Sequence, residues 1–79
     1  MDEMAYKGYL IQAVPYQLAE SGEWTIRIEI WRDRGNAINA KAFYAKNRFK
    51  TKEEAIPHCC ELGMQIIDGK IENCNVNDL

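Results

Sequence analysis

No part of this sequence approaches the roughly 20 consecutive apolar residues of a membrane-spanning helix, so no membrane anchor is expected. The opening MDEMAYKG is acidic and lacks an apolar block, which argues against a secretory leader and makes the cytoplasm the expected location. Cysteine occurs three times, as Cys59, Cys60 and Cys74. An odd count with two adjacent members is not a disulfide framework, and free thiols are expected in a reducing compartment. There is no glycine-rich phosphate loop, no His-Glu zinc motif and no serine elbow. There is also no internal repeat, low-complexity tract or linker. At 79 residues the chain makes one domain at most. The expected division is an ordered core over about 6–70 and a polar, fraying tail over 71–79. So short a chain buries a modest share of its surface, so its stability should be marginal.

Apolar residues make up 47% and charged residues 28% of the chain, ordinary values for a globular protein. The net charge of −2 hides an uneven distribution. Residues 24–50 hold seven cationic side chains (Arg27, Arg32, Arg34, Lys41, Lys46, Arg48 and Lys50) against Glu29 and Asp33, a balance of +5 that leaves −7 for the remainder. One part of the molecule can therefore attract anions while the rest repels them.

The pattern reads as three strands followed by a helix. The first strand is expected at about 6–15, YKGYLIQAVP, with Tyr9, Ile11 and Ala13 inward. Pro15 cannot donate a ladder hydrogen bond, which points to a sheet edge. AESGEW supplies a turn. WTIRIEIW, residues 24–31, alternates Trp24, Ile26, Ile28 and Ile30 with Thr25, Arg27, Glu29 and Trp31, the period-2 mark of a half-buried strand. DRGNAIN, residues 33–39, reads as a loop. A third strand over about 41–49 turns Phe43, Ala45 and Phe49 inward and Tyr44, Lys46 and Arg48 outward. A register with Trp31 opposite Tyr44 would put Glu29 opposite Lys46 and Arg27 opposite Arg48.

The helix opens at TKEEA, where Thr51 and Glu54 have the spacing of a capping box. Ala55, Cys59, Leu62 and Ile66 share one face, which Ile56, Gly63 and Ile67 widen. Gly69 is the stop. Pro57 should bend the helix. The fold class is thus α+β: a three-stranded antiparallel meander with one C-terminal helix on one face. The expected core is Tyr9, Ile11, Trp24, Ile26, Ile28, Ile30, Phe43, Ala45, Phe49, Ala55, Cys59, Leu62 and Ile66.

YKGYLI, WTIRIEI, FKTKEEA and IIDGK together resemble a group of small bacterial proteins of about this size with no assigned function and a strand-strand-strand-helix layout. The resemblance spans residues 6–70 and supplies no catalytic or binding residues.

Function, if legible at all, lies on the polar face of the sheet. Arg27, Trp31, Tyr44, Lys46 and Arg48 form a basic-aromatic candidate binding surface. Trp, Tyr and Arg are favoured anchors of protein interfaces, so a protein partner or a second copy is the first expectation. Self-association through this face, or through the third strand if that strand is an unpaired edge, is the most economical version. The alternative is single-stranded nucleic acid, held by cations on phosphates and rings on bases. The acidic net charge and the lack of an RNP-like motif weigh against it. A solvated face with no partner is the third reading.

His58, Cys59 and Cys60 do not have the spaced pairs of a structural zinc site, and neighbours on a helix diverge by about 100°. No third group marks a His58-activated thiol. No catalytic residue, metal or cofactor is expected, and the chain is read as non-enzymatic. Asp68 at the helix end opposes the dipole and calls for a bonding partner that the sequence does not identify.

Overall fold

A computed structural model describes residues 2–35, 37–77 and 79. It is an α+β domain with five strands rather than three: β1 (Asp2–Tyr6), β2 (Tyr9–Ala13), β3 (Tyr16–Gln17), β4 (Trp24–Asp33) and β5 (Ile38–Phe49), followed by α1 (Lys52–Ile67). The sheet is antiparallel. β4 pairs along one side with β5 and along the other with β2 and β3, and β1 pairs with β2.

The two additional strands have local causes. Lys7 and Gly8 both have positive φ, 50° and 86°, and join Tyr6 to Tyr9 across a two-residue hairpin. Such turns need left-handed backbone at both central positions, which glycine adopts freely. What reads as one strand over 6–15 is therefore the end of β1, a turn, and β2. The run then breaks at Val14 and Pro15 before β3. The edge position inferred from Pro15 is corrected as well, since β2 lies between β1 and β4. Among the described residues the β1–β2 pairing reaches Ala13, short of Pro15. The Val14 N–H still donates to the Arg27 carbonyl at 2.9 Å, so position 15 turns its missing donor away from β4.

β4 follows the expected alternation from Ile26 onward, but at its start Thr25 is buried and Trp24 only half-buried, where the register shifts between Thr25 and Ile26. Ile26, Ile28 and Ile30 are buried against the helix layer together with Ile11, Ala13 and Phe43. β5 starts at Ile38, three residues before the expected start, and the connection shrinks to a tight turn in which Arg34 N–H donates to the Ala37 carbonyl at 2.8 Å. Asn36 of the expected loop lies outside the described residues.

α1 packs mainly over β4 and β2. The Thr51 side chain accepts from Glu54 N–H at 3.2 Å as the expected cap. At the other end Gly69 N–H donates to Ile66 and Lys70 N–H to Gln65, the paired bonds of a Schellman stop. Gly63 is a point of close approach: a Cβ there would stand 2.6 Å from Ile11 Cγ2.

Of the expected core, Ile11, Ile26, Ile28, Ile30, Phe43, Ala55, Cys59 and Ile66 are buried, while Tyr9, Ala45, Phe49 and Leu62 pack against them half-buried; Trp24, expected in the core, is half-buried at the start of β4 and lies outside this cluster. The tail differs from the expectation. Val76 and Leu79 are buried in the same cluster, at 6% and 3% exposure, and Lys41 Nζ reaches the Asn75 carbonyl at 3.5 Å. The reason is geometric: one helix covers β2 and β4, and the tail's two aliphatic side chains add to the layer on that same face.

Candidate functional site

No second layer covers the other face of the sheet among the described residues. Following the register across the strands, one row of this open face runs Ala5, Leu10, Trp31, Ala40, and the next runs Glu3, Gln12, Glu29, Ala42. Arg27 faces Tyr44 in the row beyond, and Asp33 faces Ile38 at the hairpin end.

The expected register is therefore wrong by four residues. Trp31 lies opposite Ala40, Glu29 opposite Ala42 and Arg27 opposite Tyr44. Trp31 and Tyr44 belong to levels four residues apart, about 13 Å at strand rise, so they do not form an aromatic pair. The short hairpin connection sets this register. A β-bulge adds a second irregularity. Ile26 pairs with Ala45, but Thr25 pairs with Arg48, which leaves Lys46 and Asn47 without opposite residues. The Thr25 hydroxyl, 2.9 Å from the Ala45 carbonyl and 3.0 Å from that of Asn47, bridges the bulge. Because two residues are inserted, parity is kept and Arg48 stays on the face of Tyr44.

The five sequence-predicted residues consequently separate, three in one hollow, Trp31 in another and Arg27 in neither. Tyr44, Lys46 and Arg48 line a hollow of about 400 Å³ together with Tyr16 and Leu18. Arg48 also lies 3.6 Å from Glu23, both exposed. Trp31 belongs to a different and more apolar hollow of about 470 Å³, with Ala5, Tyr9, Leu10 and Ile38 on its walls and Asp33 and Gln12 at its polar part. Sequence reasoning missed Ala5, Leu10, Ile38 and Ala40. The alternation of Ile38, Ala40, Ala42 and Tyr44 was the available signal, but it runs into a segment that reads as loop.

Arg27 stands between the two hollows. Its guanidinium donates to Glu29 at 2.9 Å and, less closely, to the Tyr44 hydroxyl at 3.4 Å, and it lies 5.9 Å from the Tyr44 ring centre. The contact with Tyr44, more than that with Glu29, holds the Arg27 pKa above its ordinary value against the opposing effect of burial. This cation is already engaged inside the molecule, which reduces what it can offer a phosphate. The Trp31 Nε1–H is sealed from solvent without an acceptor, a cost of about 1–3 kcal/mol.

Away from this face, the Cys59 thiol is pushed up to about 11 by burial, and burial also raises Cys60. Neither is poised as a thiolate near neutral pH. His58 is exposed and stacks on Phe49, ring centres 4.7 Å apart. Among the described residues no three His, Cys, Asp or Glu side chains converge as metal ligands, and no helix is long and apolar enough to cross a membrane. Asp68 has found its partners: it accepts from the Tyr6 hydroxyl at 2.8 Å and pairs with Lys7. It ties the first hairpin to the end of α1.

A family model described as a domain of unknown function (DUF6566) matches residues 1–78. The chain belongs to this family. No curated protein and no solved structure matches it. The expectation of an uncharacterised family is thereby met, and DUF6566 brings no site residues that would choose between the two hollows.

Proposed function

We propose that this DUF6566 domain is a non-enzymatic interaction module of the bacterial cytoplasm, and that it docks a protein on the open sheet face around Trp31. The observation that carries this reading is the uncovered row Ala5, Leu10, Trp31, Ala40 beside Ile38, which is 66% exposed. Small alanines flank a large indole there, so a partner can approach closely and use Trp31 as an anchor. Contiguous apolar surface of this kind marks interaction sites. A second copy packed sheet on sheet is the most economical occupant. Arg27 and Glu29, of opposite sign on one strand, could exchange partners across a twofold axis.

A second reading rests on the other hollow. Tyr16, Tyr44, Lys46 and Arg48 combine two rings with two cations, the chemistry of single-stranded nucleic-acid binding. Engagement of Arg27 by Glu29 ranks this reading below the first.

Replacing Trp24 by Phe leaves Trp31 as the only indole. Its fluorescence should shift when the protein is diluted and should ignore an added single-stranded oligonucleotide. A signal unchanged by dilution would defeat the self-docking version. A shift with oligonucleotide that added salt abolishes would instead favour the nucleic-acid reading, because phosphate contacts weaken steeply with salt.

A further inference from the structure

The open face is electrically polar along its strands. Glu3 and Glu29 share one row, and Asp33 lies two rows beyond it on the hairpin side. Arg27 stands in the next row the other way and Arg48 in the row after that, with Lys46 in the bulge between them. Acids therefore occupy one end of the face and bases the other. Arg34 in the hairpin turn, and Glu23 at 3.6 Å from Arg48, each take one charge off their end without changing its sign.

Size follows the same direction. Ala5, Ala40 and Ala42 belong to the acidic end, and Tyr16, Tyr44 and Arg48 to the basic end. Thr25 is 5% exposed and forms the floor of the hollow between those larger groups.

Such a face complements itself only when it is reversed end for end. A twofold axis parallel to the strands, wherever it is placed across the sheet, stacks acids with acids, bases with bases and alanines with alanines. Like charges brought together in this way are strongly disfavoured. A twofold axis across the strands stacks each end on its opposite, and its symmetry satisfies both ends at once. With that axis between the Glu29 and Arg27 rows, Glu29 of each copy meets Arg27 of the other, and Ala42 meets Tyr44. The next rows bring Ala40 over Arg48 and Trp31 over the Thr25 floor, with the indole beside Lys46 and Arg48. Ring and cation attract there once water is excluded. Asp33 and Glu23 come level at the periphery, about 17 Å from the axis at strand rise. The angle of roughly 30° between packed sheets moves them about 8 Å apart sideways.

We infer that two copies pack open face on open face about a twofold axis running across the strands, the Trp31 end of each covering the basic end of the other. This rests on the self-docking proposed above and adds its orientation. It also makes the basic hollow the receptor for the partner's Trp31 end rather than for nucleic acid.

Sedimentation velocity at rising concentration tests whether copies pair, and zero-length carbodiimide coupling tests how. An equal mixture of heavy-nitrogen-labelled and unlabelled wild-type chain is coupled, digested and searched by mass spectrometry for mixed-isotope peptide pairs. The expected result is a dimer whose mixed-isotope pairs join Lys46 to Glu29 or Asp33. Lys46→Glu should raise the dimer dissociation constant by about fivefold or more at low salt. Lys70→Glu, the same charge change beside the end of α1, should alter it by less than about twofold. Mixed-isotope pairs that join Lys46 only to Glu23 would show like ends stacked, overturning the orientation while self-docking stands. A dimer indifferent to Lys46→Glu would overturn it in the same way. A monomer at every concentration would overturn both.

Discussion

The two faces of this sheet are built by the same strands and do opposite things. On the covered face, Ile11, Ile28 and Ile30 have no measurable exposure and meet the helix and the tail. On the open face, Ile38 and Tyr44 are 66% and 63% exposed, and the centre is a salt bridge between Arg27 and Glu29. Period-2 alternation produces both faces at once, because each residue turned inward turns its neighbour outward. The difference shows that alternation assigns residues to faces, while the supply of covering elements decides which apolar residues become core. The described residues form one helix and one tail, and both go to the isoleucine side.

The sharpest way to break the comparison is Ile28→Ala. It removes a fully buried side chain and should cost roughly 2–5 kcal/mol, read by urea unfolding. A loss below about half a kcal/mol would mean that this face is not the core. Leu79→Ala tests the tail as part of the cover. Its side chain is 3% exposed, and a cost of about 2 kcal/mol is expected; no cost would leave the helix as the whole covering layer. Gly63→Ala tests how closely the layers meet. The added methyl would press on Ile11, with an expected loss of about 1–3 kcal/mol, and a neutral or stabilised variant would show slack between helix and β2.

Asp68→Asn probes the link between the first hairpin and α1 through pH. Bonds from Lys7 first and Tyr6 second hold the Asp68 carboxyl below its ordinary value. A depressed carboxyl contributes stability above the ordinary carboxylate range and loses it as pH falls through the folded value. Lys7 and Tyr6 are both raised, chiefly by Asp68, so their share is present below their ordinary values and lost as pH rises through the folded ones. The wild type should therefore exceed the variant in urea midpoint near neutral pH and converge with it at about pH 2. Equal midpoints at both would remove the link. The smallest effect belongs to the open face: Ile38→Ala should change stability by less than about 0.5 kcal/mol, and a larger loss would reveal a hidden cover there.

Much of the fold was legible because its signals are local. Ile26, Ile28 and Ile30 mark β4 without reference to any other segment, and Thr51 with Glu54 marks the helix start. The N-terminal hairpin was missed because its turn is Lys-Gly, which requires a lysine at positive φ where Asn-Gly would have been the plain signal. The candidate site was less legible. All five residues lie on the open side or in its bulge, but the hairpin register separates Trp31 from Tyr44, and Arg27 is engaged by Glu29. Pairings between strands depend on turn length and bulges, and the two-residue insertion at Lys46 and Asn47 leaves no mark in the alternation.

The sequence by itself determined the α+β class, the isoleucine strand, the capped helix and the charge asymmetry, because each follows from neighbours within a few positions. Only the tertiary structure decided that Asp68 holds the first hairpin, that Val76 and Leu79 return to the core, and that acids and bases gather at opposite ends of the open face. Those outcomes join residues up to 62 positions apart. No local pattern encodes them, since they depend on which strands pair and on which face the single helix covers.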